Sequence, residues 1–170
     1  MKKLLLGLVT LIMLTGCATL DDDEAKVAVL DALENAYKAS YIADGIGLAV
    51  FADQTIVEEG TTWYRVADNY GSVKELKEQV DKGYNGEVSE ELKNTIDKKY
   101  KDIDGKLYST GVGGCPLPYE IDTAREDMEE DVKINEIKSK KITITLKEIE
   151  YTLIKKSDKW VSEEKIFSCN

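Results

Sequence analysis

Apolar residues recur at steps of four from Glu24 to about Ala43: Val29, Leu33, Tyr37 and Tyr41 share one face, with Asp31, Glu34 and Lys38 opposite. That period predicts a helix. The stretch Gly45 to Gly60 has no period that decides between helix and strand. "TTWYRVA", Thr61 to Ala67, is β-branched and aromatic and predicts a strand. Adjacent residues of a strand face opposite sides, so one of Trp63 and Tyr64 is expected in the core. Ser72-Val73-Lys74-Glu75 has the form of a capping box, and Val73, Leu76 and Val80 make a helical stripe behind it. Ser89 opens a second short helix with Leu92, Ile96 and Tyr100 on one face. Both helices are short enough that their stability must come from packing.

From Asp104 the pattern changes. Asp104-Gly105 reads as a turn that starts a strand, Lys106 to Thr110. "KKITITLKEIEYTLIKK", Lys140 to Lys156, alternates, with Ile142, Ile144 and Leu146 on one face. Ser157-Asp158 then reads as a hairpin turn into "KWVSEEKIF". Polar residues on the alternate positions predict an antiparallel sheet with one wet face. No repeat or low-complexity segment interrupts this order. The expected fold class is α+β, with N-terminal helices packed on a curved antiparallel sheet, cone or cystatin-like.

Composition narrows the chemistry. The 170 residues carry 33 acids against 23 bases, a net charge of −10, and no histidine. Without histidine neither a Cys/His pair nor a Ser-His-Asp triad can form, and a zinc site lacks its usual ligands. So acidic a chain has no electrostatic reason to hold nucleic acid. It would instead attract a partner with a basic groove. Asp102-Ile103-Asp104-Gly105 has the look of an EF-hand loop, but Tyr100 and Gly111 stand where ligating acids are required. The runs Asp21 to Glu24 and Glu129-Glu130-Asp131 read as solvated surface, the first as a tether. Neither a catalytic residue, a cofactor nor a metal is expected.

The first residues set the expected compartment. Lys2 and Lys3 precede an apolar run, Leu4 to Leu14, of signal-peptide length. Leu14-Thr15-Gly16-Cys17 resembles the lipobox of bacterial lipoproteins. The resemblance implies cleavage before Cys17 and lipidation of its thiol, leaving the protein anchored on the extracytoplasmic face of a bacterial membrane; the alternative is an ordinary secretory peptide with a chance cysteine. Residues 1–16 would then be a removed signal peptide, 17–23 a lipidated N-terminus and tether, and 24–170 a single domain. Removing residues 1–16 takes two lysines and no acids, so the charge moves from −10 to −12.

The stretch "GKLYSTGVGGCPLPYE", Gly105 to Glu120, holds four glycines, a cysteine and two prolines. It lacks the Lys-Ser/Thr that opens a helix after a phosphate loop, and Pro116 and Pro118 forbid such a helix start. With Cys17 lipidated, Cys115 and Cys169 remain. Outside the cytoplasm a disulfide is expected over two buried thiols, and closing a loop of roughly 55 residues contributes about 4 kcal/mol on the chain-entropy picture. The stretch is expected to be a shaped loop, pinned to the C-terminus.

The order of leading helix, "WYRV", two short helices, "DGKLY" and a late hairpin ending in "KWVS" resembles the IseA-type family, inhibitors of bacterial cell-wall DL-endopeptidases. It is also similar to the nuclear-transport-factor-like cone domains of many bacterial lipoproteins. The resemblance covers roughly Trp63 to Val161. It implies a non-catalytic envelope protein that docks on a peptidoglycan hydrolase and inhibits or modulates it. Two other readings stay open: a lipoprotein whose cone pocket takes a small or peptide ligand, and a scaffold for other envelope proteins. The expected contact surfaces are the loop Asp68-Asn69-Tyr70, with Tyr70 as its aromatic anchor, and the acidic run Glu129-Glu130-Asp131.

Overall fold

The computed structural model describes residues 20–111 and 113–168. Cys17 and Cys169 lie outside these residues, as does the segment expected to be a signal peptide. Among the described residues no helix is long and apolar enough to cross a membrane.

The leading helix, α1, runs from Asp22 to Ala43. It starts two residues before the period suggested, because the acidic run serves the helix. The Asp21 carboxylate accepts the Glu24 N–H at 2.8 Å, and Asp22, Asp23 and Glu24 occupy the first turn. A side-chain cap contributes about 1 kcal/mol, and acids there complement the positive end of the helix dipole. The expected tether therefore ends before Asp21. Val29, Leu33 and Tyr37 are buried, and Tyr41 is half-buried.

Helix α2 spans Val73–Gly83 and α3 spans Gly86–Lys99. Ser72 caps α2 by accepting the Glu75 N–H at 3.3 Å, while the Glu75 carboxylate takes the Gly71 N–H at 2.8 Å. The reciprocal bond of a capping box thus lands one residue early. Helix α3 begins at Gly86 rather than Ser89, whose hydroxyl is buried and donates to Asp81 at 2.8 Å. Tyr100 ends the helical stripe but belongs to the next strand.

The strands form two four-stranded antiparallel sheets rather than one. The first contains β1 (Val50–Glu58), β2 (Thr61–Val66), β3 (Tyr100–Ile103) and β4 (Lys106–Ser109), in the order β1-β2-β4-β3. The second contains β5 (Val132–Lys138), β6 (Lys141–Leu146), β7 (Ile149–Lys156) and β8 (Lys159–Ser162), in sequence order. Neither sheet closes on itself, and the fold is α+β. A short helix, α4 (Ala124–Asp131), separates the two sheets where the pattern suggested only strands. It escapes notice because only Ala124 and Met128 of its eight residues are buried.

Asp104-Gly105 joins β3 to β4 with φ of 50° and 69°, the left-handed pair of a two-residue hairpin. Ser157-Asp158 turns β7 into β8 as expected, but β8 stops at Ser162 and the chain continues as an irregular segment with Ile166 and Phe167 buried. Ile142, Ile144 and Leu146 are buried on one face of β6. Trp63 and Tyr64 depart from expectation: both are half-buried and neither is core.

Helix α1 lies at the centre, against α2, α3, α4 and β8. Tyr37, Tyr84, Leu33, Leu76, Leu92, Ile96, Met128, Ile142, Ile144, Leu153 and Phe167 are fully buried around it. Each such aliphatic side chain contributes about 1.5–3 kcal/mol relative to exposure.

Candidate functional site

One surface recess combines an apolar floor with a charged rim. It is a cleft of about 520 Å³ lined by Lys38, Tyr41 and Ile42 of α1, by Gly47, Leu48 and Ala49, by Asp68, Asn69 and Tyr70, and by Ile121 and Asp122. A wider trough of about 900 Å³ near Asp81, Glu87, Glu90 and Lys93 has no apolar residue in its wall. Buried ligand surface is mostly apolar in binding sites, with a few placed polar groups. The first recess fits that description and the second does not.

The corner that forms the floor is fixed on several sides. At the end of α1, Asp44 and Gly45 N–H groups bond the Ser40 carbonyl at 2.8 and 2.9 Å, and Gly47 N–H bonds Tyr41 at 3.2 Å. The buried Tyr100 hydroxyl donates to the Ile42 carbonyl at 3.1 Å and accepts the Leu48 N–H at 3.2 Å. Lys165 pairs with Asp44 at 2.6 Å. The glycine-rich stretch closes over this corner. Gly114 donates its N–H to the Gly45 carbonyl at 2.8 Å, and a side chain at Gly114 would stand 1.7 Å from the Asp44 carbonyl oxygen. The stretch is a shaped loop, and its glycine is there because backbone meets backbone.

The rim is acidic. Asp68 accepts the Ala49 N–H at 2.7 Å, which fastens the 68–70 segment to the floor. Lys38 is held by Glu34 at 2.5 Å, so its charge is spent within α1, and that ammonium holds the Glu34 carboxyl below its usual range. Burial, then Asp68, Glu120 and Asp122, push the Tyr41 phenol up. Burial, then Asp68 and Glu75, push Tyr70 up in the same way. Both tyrosines are half-buried and remain neutral hydroxyls at neutral pH, able to donate or accept.

Of the expected contact residues, the cleft takes Asp68, Asn69 and Tyr70 and leaves out Glu129, Glu130 and Asp131. The latter run ends α4. Glu129 pairs with Lys26 at 2.7 Å, and Asp131 accepts the Tyr119 hydroxyl at 2.9 Å and meets Lys147 at 3.6 Å. Acids at a helix C-terminus oppose its dipole, and these cations offset that. Glu129 and Asp131 thus fasten α4, while Glu130 is exposed.

Cys115 is half-buried at the edge of the glycine-rich stretch. Its expected partner Cys169 is outside the described residues, but the chain just before it is close by. The Phe167 ring stands 6.2 Å from that of Tyr119, edge on, and Ser168 shares a recess with Pro118.

Sequence reasoning missed Tyr41, Leu48, Ile121 and Asp122. Tyr41 continues the stripe of α1, so periodicity assigns it to the core; only the end of the helix leaves its ring at a rim. Among the described residues no three His, Cys, Asp or Glu side chains converge as a metal site. No protein-family model and no curated protein sequence matches this chain.

Proposed function

We propose that this is a non-catalytic, lipid-anchored binding protein of the bacterial cell envelope. It docks a basic segment of a partner protein in the cleft at the end of α1. The partner class that the sequence resemblance implies is a cell-wall DL-endopeptidase, which the docked domain would inhibit or modulate. The observation that carries this reading is the pairing of an apolar floor, Ile42 and Leu48, with tyrosines and the carboxylates of Asp68 and Asp122 at the rim. Aromatic residues concentrate interface energy, and acidic rims steer basic partners. A second reading, a small-ligand or peptide binder, is favoured by the cleft's own volume, which lies in the range of small-molecule sites.

The test is inhibition of DL-endopeptidases acting on purified cell wall. Tyr70→Ala should weaken inhibition by about tenfold or more, the loss of one aromatic anchor. Asp68→Asn should slow association, and raising salt should reproduce that slowing in the unaltered protein. Glu130→Lys, outside the cleft, should do much less. Absence of inhibition of every such enzyme at micromolar concentration would leave the small-ligand reading.

The anchor and the disulfide belong to the same proposal. Cys17→Ser should move the protein from the membrane to the soluble fraction and abolish incorporation of labelled fatty acid. In the native protein Cys115 and Cys169 should both resist alkylation until a reductant is added. Fatty acid entering the Cys17→Ser protein, or rapid alkylation without reductant, would refute the respective part.

A further inference from the structure

The first sheet has one face on the core and one away from it. On the inner face, Val66, Leu107 and Tyr100 join the buried cluster. The register places Arg65 opposite Tyr108, and Tyr108 opposite Lys101, so these three form one row across β2, β4 and β3 on the other face. Trp63 lies two residues from Arg65 and Lys106 two residues from Tyr108, so both share that face. Trp63, Phe51 and Ile56 lie outside the hydrophobic core, whereas Tyr108, between Arg65 and Lys101 in the row, is itself buried.

The cations on this face stack on its rings. The Arg65 guanidinium sits 5.5 Å from the Phe51 ring centre, and the Lys101 ammonium sits 5.9 Å from that of Trp63. Such contacts hold a cation in place without neutralising it. Arg65 bonds the neutral Gln54 at 2.8 Å rather than a carboxylate. Lys106 is exposed and has no ion-pair partner among the described residues. Lys101 alone is compensated, by Glu58. A protein of net charge −10 therefore carries a locally positive, ring-backed face.

We propose that this outer face binds an anionic glycan, with Arg65, Lys101 and Lys106 meeting its acidic groups and its sugar rings lying over Phe51 and Ile56. The spacing argues for that occupant. Arg65 and Lys101 are two strands apart, roughly 10 Å, and Lys106 is roughly 7 Å along the strand from that row. Three cations so spread match a polymer with one acid per repeat. A nucleic acid strand, with a phosphate about every 3.4 Å, would bring more charge than they can meet while the rest of the protein repels it.

Hyaluronan oligosaccharide, a glycan with a single carboxylate in each disaccharide repeat, serves as the probe, measured by calorimetry or fluorescence at low salt against a single-stranded oligonucleotide and vesicles of phosphatidylglycerol. The expected result is glycan binding that weakens steeply with salt and falls about tenfold or more in the Arg65→Glu, Lys106→Glu protein. Glu58→Gln frees Lys101 and should tighten binding a few-fold, a gain that misfolding cannot imitate. Absence of glycan binding, binding untouched by both variants, or preference for the oligonucleotide or the vesicles would each overturn the assignment. The outcome is independent of the cleft, since none of these residues lines it.

Discussion

Gly83→Ala is expected to lower the free energy of unfolding by about 3 kcal/mol and the melting temperature by about 10 °C. Gly83 ends α2 where that helix meets α1. A Cβ there would stand 2.4 Å from the Ala36 nitrogen, 2.5 Å from the Ala36 Cα and 2.6 Å from the Asn35 carbonyl carbon. These are backbone atoms of a regular helix and cannot turn aside as a flexible side chain would. The two helices must separate, and the layer from Leu33 and Tyr37 to Leu76 and Val80 separates with them. Helix propensity pushes the other way, since alanine is favoured over glycine by up to about 1 kcal/mol. The sign of the result therefore decides between local preference and packing. Urea and thermal unfolding measure it, and an unchanged or raised midpoint would refute the close-packed crossing.

The second expectation is a loss of stability at alkaline pH. Tyr84 is buried between the helices, its hydroxyl 2.9 Å from Ser40 and accepting the Phe167 N–H at 3.3 Å. Tyr100 is buried at the floor of the cleft and donates to the Ile42 carbonyl at 3.1 Å. Burial raises both phenols to about 12. Their unfolded value is near 10. Above that value the unfolded chain loses its protons while the folded one keeps them. Stability from these groups is thus fully present below about pH 10 and is lost as the pH rises towards 12. Two such shifts correspond to roughly 2 to 3 kcal/mol each.

Urea midpoints taken at pH 8, 10 and 11.5 should fall steeply only in the last interval, with tyrosine ionisation read by absorbance lagging behind a free tyrosine. Tyr84→Phe should remove part of the fall, the rest coming from Tyr100 and from other tyrosines whose phenols burial also raises, Tyr119 among them. At neutral pH the same change strands the Phe167 N–H and the Ser40 hydroxyl, which costs about 1–3 kcal/mol. A flat profile through pH 11.5 would contradict the burial of these hydroxyls.

Where local chemistry and burial agree, the elements can be read directly from the chain. The stripe Val29, Leu33 and Tyr37, the Ser72 cap, the Asp104-Gly105 turn and the Ile142, Ile144, Leu146 face each rest on residues a few positions apart. Elements that bury little are not legible. Strand β1 exposes most of its nine residues, and α4 buries two of eight, so neither carries a periodic signal. The acidic run Asp21 to Glu24 reads as a tether because composition does not distinguish a solvated segment from a capped first turn.

The candidate site divides along the same line. Asp68 and Tyr70 were accessible because polar and aromatic residues after a strand mark an exposed loop. Their partners Leu48 and Asp122 come from 20 residues before and 54 residues after Asp68. No local pattern joins them. Glu129 and Asp131 look like free surface charge in the sequence, and only the approach of Lys26, Tyr119 and Lys147 makes them structural.

By itself the sequence determined the helices with strong apolar periods, the alternating strands, the acidic balance and the exclusion of histidine chemistry, because these are properties of composition and near neighbours. The tertiary structure decided what distance along the chain conceals. It split the strands into two sheets, brought Gly83 and Gly114 against backbone, joined four separate segments into one cleft, and turned the cations of β2, β3 and β4 to a single face. Each of these depends on strand register or on the closeness of two backbones, which the whole packed fold sets and no single segment does.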